Sequence, residues 1–212
     1  MIKLKDKRVI IFDMDGVILE ESSSWVVIHR YFNVDNHSNL QDYLKEKIDY
    51  KEFMKRDISL WPRVNIKTIE KLFDNIKINR NFEQIIKECK QKGYITALVS
   101  AGLDILANKI NKKLKFDYVF ANGLNIDKDG FLKGTGQCQV ELLRKDKIVK
   151  LLSKKLNIPL SQFVAIGDSK YDIPMLKVVG FAIAFNPKDD EIKRIADVVI
   201  KDKNTKQILK YL

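Results

Sequence analysis

Two carboxylates separated by one residue, Asp13 and Asp15, are the first groups in this sequence whose spacing could support a reaction. They directly follow the apolar run Val9–Phe12, and Gly16 behind them allows the chain to turn. Alternate side chains at the end of a strand point the same way, so both carboxylates could reach one cavity. One could act as a nucleophile or metal ligand while the other transfers a proton. Because two like charges so close together are costly, the pair also predicts a bound cation.

Three further polar segments follow later in the chain. Ser100-Ala101-Gly102 comes after the apolar run 95–99, and we expect it to open a helix, where a hydroxyl and free N–H groups could bind phosphoryl oxygens. Gly167-Asp168-Ser169-Lys170-Tyr171-Asp172 comes after the run 164–166 and offers two carboxylates to a hard cation. Lys145 opens the helix before that run, and its ammonium could neutralise a phosphate and a carboxylate. Taken singly, each segment is explained as well by a helix cap, a turn or a surface lysine.

The elements that must position these groups alternate short β-rich runs with helical periodicity, which is typical of an α/β chain whose parallel sheet is covered on both faces. Ligands of such sheets bind at the carboxyl edge of the strands, where the polar segments lie. We expect residues 125–134 to form a hairpin that turns at Asp129-Gly130. The predicted buried strands are Val9–Phe12, Ile95–Val99, Val164–Ile166, Phe181–Phe185 and Val198–Ile200.

Residues 20–78 interrupt this alternation. They contain no buried-strand signal and predict several short helices, most simply an all-helical insertion after the first strand. We therefore expect a core domain of residues 1–19 and 79–212 and a helical cap domain of residues 20–78. The segment 20–79 holds as many acidic as basic side chains, so the excess behind the net charge of +11 lies in the core.

The composition, 45% hydrophobic and 32% charged, is that of a globular chain. No apolar run approaches the roughly 20 residues that cross a bilayer, and the apolar run near the N-terminus is too short for a secretory signal. Cys89 and Cys138 form neither a disulfide framework nor a metal motif, so we expect a cytoplasmic protein without a membrane partner. His29 and His37 have no companion ligands and are expected to be ordinary surface or core histidines.

The basic excess of the core could attract phosphate-bearing molecules or nucleic acid. Its lysines fall mostly where predicted helices would face water, and they are not interleaved with aromatic residues that could stack on bases. Nucleic acid is therefore not the expected partner, and nothing in the sequence specifies an oligomeric state.

Taken together and in this order, Asp-x-Asp, Ser, Lys and Gly-Asp-x-x-x-Asp on strand ends resemble the haloacid dehalogenase superfamily, and within it the phosphoserine phosphatase-like enzymes. The resemblance spans nearly the whole chain and includes the segments 99–102 and 164–168 and the place of the helical insertion. It implies a Rossmann-like, doubly wound core with a small all-helical cap. It also implies an Mg²⁺-dependent phosphatase that acts on a small phosphorylated metabolite, with phosphoserine as one candidate.

The resemblance also implies roles for single residues. Asp13 would attack phosphorus to form an aspartyl phosphate, and Asp15 would protonate the leaving group and then activate water. The phosphoryl group would be bound by Ser100, the backbone of Ala101 or Gly102, and Lys145. Magnesium would be bound by the Asp13 side chain, the Asp15 main-chain carbonyl, Asp168 and, directly or through water, Asp172.

The cap departs from this family. The family's acidic residue that contacts a substrate amine falls at Ser22, next to Glu21, and its arginine that binds a substrate carboxylate falls at Asp57, next to Arg56. A shift of one residue would restore both groups, so Glu21 and Arg56 are candidate substrate-binding residues. Without the shift, Asp57 would repel a substrate carboxylate. Further candidates for the substrate side are Trp25, Tyr50, Trp61 and Arg63.

Two other functions stay open on the sequence. One is a phosphotransferase or mutase that uses the same aspartyl phosphate but passes the phosphoryl group to another acceptor. The other is a nucleic-acid-end phosphatase that uses the basic surface of the core.

Overall fold

The structure is a computed structural model that describes Asp6 and residues 8–20, 23–201 and 204–212. Within these residues the chain forms a seven-stranded sheet in the order β4-β3-β2-β1-β5-β6-β7. The strands are β1 (Val9–Phe12), β2 (Ile95–Leu103), β3 (Tyr118–Ile126), β4 (Leu132–Gln137), β5 (Phe163–Gly167), β6 (Phe181–Phe185) and β7 (Val198–Ile200).

Helices connect these strands and cover the sheet. Four lie between β1 and β2 in the predicted insertion: α1 (Ser24–Phe32), α2 (His37–Leu44), α3 (Tyr50–Ser59) and α4 (Ile66–Leu72). The others are α5 (Phe82–Gln91), α6 (Asp104–Leu114), α7 (Lys145–Leu156), α8 (Ile173–Leu176) and α9 (Asp190–Ile195). Short 3₁₀ turns occupy Leu160–Gln162, Lys170–Asp172 and Thr205–Tyr211.

The sheet is parallel except at one edge, where β4 pairs antiparallel with β3. Strand β1 lies at the centre, and Phe12 is in register with Leu98 of β2 and Ile166 of β5. All four residues of β1 are fully buried, as expected of a parallel strand with helices on both faces. The α/β fold with a doubly wound parallel sheet is thereby confirmed. The predicted hairpin is also present as the turn between β3 and β4.

The end of β2 differs from its prediction. Residues 100–102 continue the strand, with an irregular register before Leu103, and the next helix begins only at Asp104. The expectation that Ser100-Ala101-Gly102 opens a helix was therefore wrong. The physical reason is that side chains from other elements satisfy the backbone here: the Ala101 carbonyl accepts hydrogen bonds from Trp25 and Asn122, so no helical turn is needed to pair it.

Helices α1, α3 and α4 of the insertion begin at residues whose side chains cap the first turn, which explains where they start. Ser23 accepts from the Val26 N–H, and Asp49 accepts from the Glu52 N–H, so each satisfies a donor of the first turn of its helix. The helices lie against the ends of β2 and β4, and Ser59 of α3 donates to the Gly134 carbonyl of β4 at 3.3 Å. The division into domains at residues 20 and 78 stays a prediction.

Many core lysines pair with nearby acids. Lys109 contacts Asp74 at 2.6 Å and Lys113 contacts Glu83 at 2.6 Å, both across neighbouring elements of the helical surface. The described part of the chain contains no helix with the length and apolar character that a membrane crossing requires. Cys89 is buried and Cys138 is half-buried, and both are free thiols.

Candidate active site

The polar segments meet at the carboxyl edge of the central strands. Asp13 directly follows β1, Ser100 lies near the end of β2, and Asp168 directly follows β5. Lys145, the first residue of α7, reaches the same place, and its Nζ lies 2.5 Å from Asp13 Oδ1 and 2.6 Å from Asp172 Oδ1. All five side chains are buried. Residues more than 100 positions apart thus form one cluster, as expected for an open parallel sheet.

Three of these groups form a compact carboxylate cluster. Oxygens of Asp13, Asp168 and Asp172 all lie within 4.8 Å of one another. Asp172 Oδ2 accepts from the backbone N–H groups of Asp168 at 3.0 Å and Ser169 at 3.2 Å, which fixes its orientation. Lys188, three residues beyond the end of β6, pairs with Asp168 Oδ2.

The carboxylate cluster holds more negative charge than Lys145 and Lys188 neutralise. Burial and the neighbouring Asp172 raise the pKa of Asp13, although Lys145 opposes them. Burial and Asp172 also raise the pKa of Asp168 against the effect of Lys188. Burial alone would lower the pKa of Lys145, but Asp13 and Asp172 raise it above its ordinary value, so this side chain is an ammonium.

The donor set fits a hard divalent cation. It consists of buried carboxylate oxygens, which Mg²⁺ prefers, and the raised pKa values of Asp13 and Asp168 indicate that a further positive charge would stabilise their ionised forms. Asp168 Oδ2 makes a short ion pair with Lys188. Gly16, with φ of +87°, passes so close that any side chain there would overlap the Asp168 carboxylate. The absence of a side chain at Gly16 therefore allows the Asp168 carboxylate and the Lys188 ammonium to lie against the backbone here.

Asp15 has a different environment from Asp13. Its carboxylate accepts from the Ser24 N–H at 3.1 Å and from the Ser24 hydroxyl at 3.4 Å, both neutral donors at the start of α1. Burial first, and then the charge of Asp13, raise the pKa of Asp15 to about 7. A carboxyl group in this range can both give and take a proton near neutral pH.

A cavity of about 450 Å³ opens above these groups, between the sheet edge and the insertion helices. Its core side is lined by Asp13, Asp15, Ser100, Ala101, Gly102 and Lys145, and its rim by Ser169, Lys170, Tyr171, Lys188 and Asp189. Its cap side is lined mainly by Trp25, His29, Asn36, Tyr50, Phe53 and Asp57.

A family model for haloacid dehalogenase-like hydrolases matches residues 10–177, a stretch that contains the whole cluster. The chain belongs to this family. This confirms the resemblance and makes the chain a hydrolase of the haloacid dehalogenase type. The match extends through the helical insertion and the strands up to β5, so it covers the cap side and the core side of the cavity, while the rim residues Lys188 and Asp189 lie beyond it.

Known proteins of this family resemble the chain over almost its full length. The phosphoserine phosphatase of Methanocaldococcus jannaschii is 34% identical, and the alignment covers 98% of this chain and 99% of that protein. A solved phospho-aspartyl intermediate analogue of phosphoserine phosphatase superposes with a TM-score of 0.83 at 34% identity, covering 98% of this chain and 99% of the other. A substrate-bound phosphoserine phosphatase complex gives a TM-score of 0.83 at 33% identity, with 97% and 98% covered.

Of the cap residues predicted to bind the substrate of this haloacid dehalogenase-like hydrolase, not all can be placed at the cavity. Glu21 and Ser22 lie outside the described residues. Arg56 does not line the cavity, because Tyr50, Phe53 and Asp57 occupy the inward face of α3. The half-exposed guanidinium of Arg56 pairs instead with Glu52, at 3.0 Å on the outer face. The expectation that Arg56 contacts the substrate is therefore not supported.

Of the other candidates, two line the cavity and two do not. Trp25 and Tyr50 line the cavity. Trp61 packs behind the lining, with its ring 5.4 Å from that of Trp25, and Arg63 pairs with Asp127 at 2.5 Å on the surface.

Sequence reasoning missed two groups at the cavity. Lys188 could have been found by applying the strand-end rule to Phe181–Phe185, because it follows that strand by three residues. His29, expected to be an ordinary histidine, is buried and lines the cavity, and no motif marks it in the sequence.

Proposed function

We propose that this chain is a phosphomonoesterase that hydrolyses a small phosphorylated metabolite through an aspartyl phosphate on Asp13. The observation that carries the proposal is the arrangement of Asp13, Lys145 and Asp15: a buried carboxylate 2.5 Å from an ammonium, beside a second carboxyl group whose pKa is raised to about 7. The names of the relatives, phosphoserine phosphatase and its phospho-aspartyl intermediate analogue, support the same chemistry.

In the first step, a carboxylate oxygen of Asp13 attacks phosphorus in line, and the bond between phosphorus and the ester oxygen breaks. Asp15 gives its proton to the departing alkoxide, which leaves as the alcohol. Lys145 and the hydroxyl of Ser100 face the cavity beside Asp13, where they can stabilise the charge on the phosphoryl oxygens.

In the second step, the ionised Asp15 takes a proton from water, and the water oxygen attacks phosphorus. The bond between phosphorus and Asp13 breaks, inorganic phosphate leaves, and the Asp13 carboxylate and the Asp15 proton are both restored. Asp15 can serve in both steps because its pKa of about 7 allows both protonation states near neutral pH.

Magnesium is the cation that we propose for the cluster, held by the carboxylates of Asp13 and Asp168 and the main-chain carbonyl of Asp15. Asp172 already accepts from Lys145 and from two backbone N–H groups, so we assign it mainly to orienting the cluster. When bound, the ion supplies positive charge that favours ionised Asp13 and neutralises phosphoryl oxygens.

The substrate that the relatives' names suggest, phosphoserine, belongs in the first panel of compounds to assay. The two free cysteines and the composition support a cytoplasmic setting for such a metabolic phosphatase.

Replacement of the nucleophile tests the proposal. Asp13→Asn keeps the side-chain shape but removes the attacking oxygen anion, so we expect hydrolysis of p-nitrophenyl phosphate to fall at least about a thousandfold. Release of p-nitrophenol measures the rate, and circular dichroism checks the fold. The matched control is Asp74→Asn, a surface carboxylate outside the cavity, which should keep wild-type activity.

Wild-type turnover in the Asp13→Asn enzyme would overturn the assignment of the nucleophile. Excess chelator should silence the wild-type enzyme, and added Mg²⁺ should restore it; unchanged turnover in chelator contradicts the metal proposal. Inorganic phosphate should appear at the same rate as the alcohol, even when alcohol acceptors are added, which separates hydrolysis from phosphoryl transfer to another acceptor.

A further inference from the structure

The cap side of the cavity carries a buried carboxylate without a cationic partner. Asp57 of α3 is 1% exposed and lines the cavity. Its two oxygens accept from the side-chain amides of Asn36 at 2.7 Å and Asn39 at 3.0 Å, which are neutral donors. Among the described residues, no lysine or arginine pairs with Asp57. Buried carboxylates are usually paired with a cation or a metal, so this one lacks its expected partner.

His29 lies beside Asp57 but does not supply that charge. Its Nε2 is 3.7 Å from Asp57 Oδ2, yet burial lowers the pKa of the imidazole, so the ring stays neutral near pH 7. The side chain is 5% exposed and lines the cavity, and neither ring nitrogen has a hydrogen-bond partner within the described residues. Since buried polar groups are nearly always hydrogen-bonded, an unpartnered imidazole facing a cavity indicates a ligand.

The two sides of the cavity therefore differ in the cationic groups that they offer. The core side and rim present the ammonium groups of Lys145 and Lys188, which suit a phosphoryl group. The cap side presents the Asp57 carboxylate among the aromatic rings of Trp25 and Tyr50. Among the described residues of the cap side, a substrate carboxylate would meet like charge and no cation, whereas an ammonium would pair with Asp57 and lie favourably against aromatic faces.

We propose that the cap side binds an ammonium group, so that the substrate is the phosphate monoester of an amino alcohol that carries no carboxylate. Asp57 accepts the charged hydrogen bond of the ammonium, and a ring nitrogen of His29 accepts a second one. The phosphate lies at the opposite, core side of the cavity, within reach of Asp13. This inference rests on the proposed phosphomonoesterase activity and names the substrate class of that same site.

The test compares kcat/KM for O-phosphoethanolamine, phosphoserine, glycerol 3-phosphate and p-nitrophenyl phosphate. We expect the wild-type enzyme to favour O-phosphoethanolamine over the two other metabolites. In Asp57→Asn, the ratio of kcat/KM for O-phosphoethanolamine to that for p-nitrophenyl phosphate should fall about 10- to 100-fold, as for the loss of one charged hydrogen bond. The matched control is Glu52→Gln, on the outer face of the same helix, which should keep the wild-type ratio.

The possible results distinguish a failure of the ammonium site from a failure of the proposed phosphomonoesterase activity. If the wild-type enzyme fails to hydrolyse every compound, including p-nitrophenyl phosphate, the proposed function falls. If it hydrolyses p-nitrophenyl phosphate but prefers phosphoserine or glycerol 3-phosphate, or if Asp57→Asn leaves the ratio unchanged, the ammonium site is overturned. Should the variant fail to fold, competition decides: O-phosphoethanolamine should inhibit wild-type hydrolysis of p-nitrophenyl phosphate more strongly than phosphoserine, and the reverse order overturns the inference.

Discussion

Asp13 and Asp15 are separated by one residue, and their neighbours give them different chemistry. Burial and Asp172 raise the pKa of Asp13, but the ammonium of Lys145 at 2.5 Å opposes them and favours the ionised form, which suits a nucleophile. Asp15 accepts hydrogen bonds from the neutral donors of Ser24, and its pKa is raised to about 7, which suits a proton carrier. The division of roles between the two carboxyl groups thus follows from their surroundings.

Replacing Asp15 should separate the two chemical steps. Asp15→Asn can neither protonate a poor leaving group nor activate water, but p-nitrophenolate leaves readily without protonation. We expect rapid release of about one equivalent of p-nitrophenolate per enzyme, followed by a steady rate at least about 100-fold below that of the wild type. Rapid-mixing absorbance measures both phases. A wild-type steady rate without a burst would contradict the role assigned to Asp15.

Removing the Asp57 charge should stabilise the protein at neutral pH. Burial raises the pKa of this group from 3.8 to about 6, so folding favours its protonated form and its ionisation destabilises the fold as the pH rises through this range. His29 is the titratable group beside it and stays neutral there. Asp57→Asn should therefore raise the free energy of unfolding by up to about 3 kcal/mol at pH 7.5, and the gain should vanish towards pH 4.

Urea denaturation of the wild type, Asp57→Asn and Glu52→Gln at both pH values measures this gain. The Glu52→Gln control changes an exposed carboxylate of the same helix and should show no comparable pH-dependent gain. Equal stability of Asp57→Asn and the wild type at pH 7.5 would show that the buried charge is already compensated.

At the scale of elements, the end of β2 is the place where cap and core meet. The Ala101 carbonyl accepts hydrogen bonds from Trp25 of α1 at 3.0 Å, Tyr50 of α3 at 3.3 Å and Asn122 of β3 at 2.9 Å. Gly102 lies next to it, and an added Cβ there would fall 2.5 Å from Ser24 Oγ and 2.7 Å from Asp15 Oδ2. The close fit of α1 against β2 therefore requires glycine at this position.

Gly102→Ala should consequently reduce activity by displacing α1 from Asp15. Misplacing a reacting group by about 1 Å can cost on the order of 100-fold in rate, so we expect kcat/KM for p-nitrophenyl phosphate to fall at least about tenfold. Gly123→Ala in β3 is the control, because its added Cβ would meet Asp104 Oδ2 at 3.2 Å, away from the cavity. Equal activity of Gly102→Ala and the wild type would show that the contact between α1 and β2 does not require glycine at this position.

The elements that the sequence predicted best are three short apolar strands. Val9–Phe12 and Phe181–Phe185, which are fully buried, and the half-buried edge strand Val198–Ile200 match in both bounds, because each is a continuous apolar run that ends at a polar residue. Strand β3 was recognised only at its hairpin end. Its apolar run, residues 118–121, covers less than half of the strand and is followed by Asn122 and Gly123, so no continuous run marks the whole strand.

Some residues of the candidate site could likewise be assigned from the sequence, and others could not. Residues that follow predicted strands, such as Asp13 and Asp168, could be assigned from the chain order alone, since parallel strands share one carboxyl edge. The cap side could not, because the phase of α3 decides whether Arg56 or its neighbour Asp57 faces inward. That phase depends on how the insertion packs on the core.

For the whole molecule, part of the net charge of +11 is carried by surface lysines that pair with nearby acids. Lysines of the core are paired with acids, for example Lys147 with Glu141 at 2.5 Å and Lys150 with Asp146 at 2.8 Å. The unfavourable charge is concentrated instead in the buried carboxylate cluster. A cation bound there should therefore affect the stability of the entire fold.

Magnesium should raise the melting temperature of the wild-type protein. A ligand present at about 100 times its Kd adds about 3 kcal/mol, and 1 kcal/mol shifts Tm by about 2–4 °C in a chain of this size. We expect Asp168→Asn to lose most of the shift and the surface variant Asp74→Asn to keep it. Scanning fluorimetry with and without millimolar Mg²⁺ measures this independently of activity. An equal shift in Asp168→Asn would place the ion elsewhere.

Ser24, the first residue of α1, connects the cap side of the cavity to its core side. Its N–H and hydroxyl donate to Asp15, and its hydroxyl accepts from the Leu103 N–H of β2 at 3.3 Å. Any movement of α1 that admits bulk water must remove both donors and hydrate the Asp15 carboxyl group, which returns its pKa toward that of an exposed acid. Departure of the product and resetting of the proton carrier for the next turnover would then be one physical event.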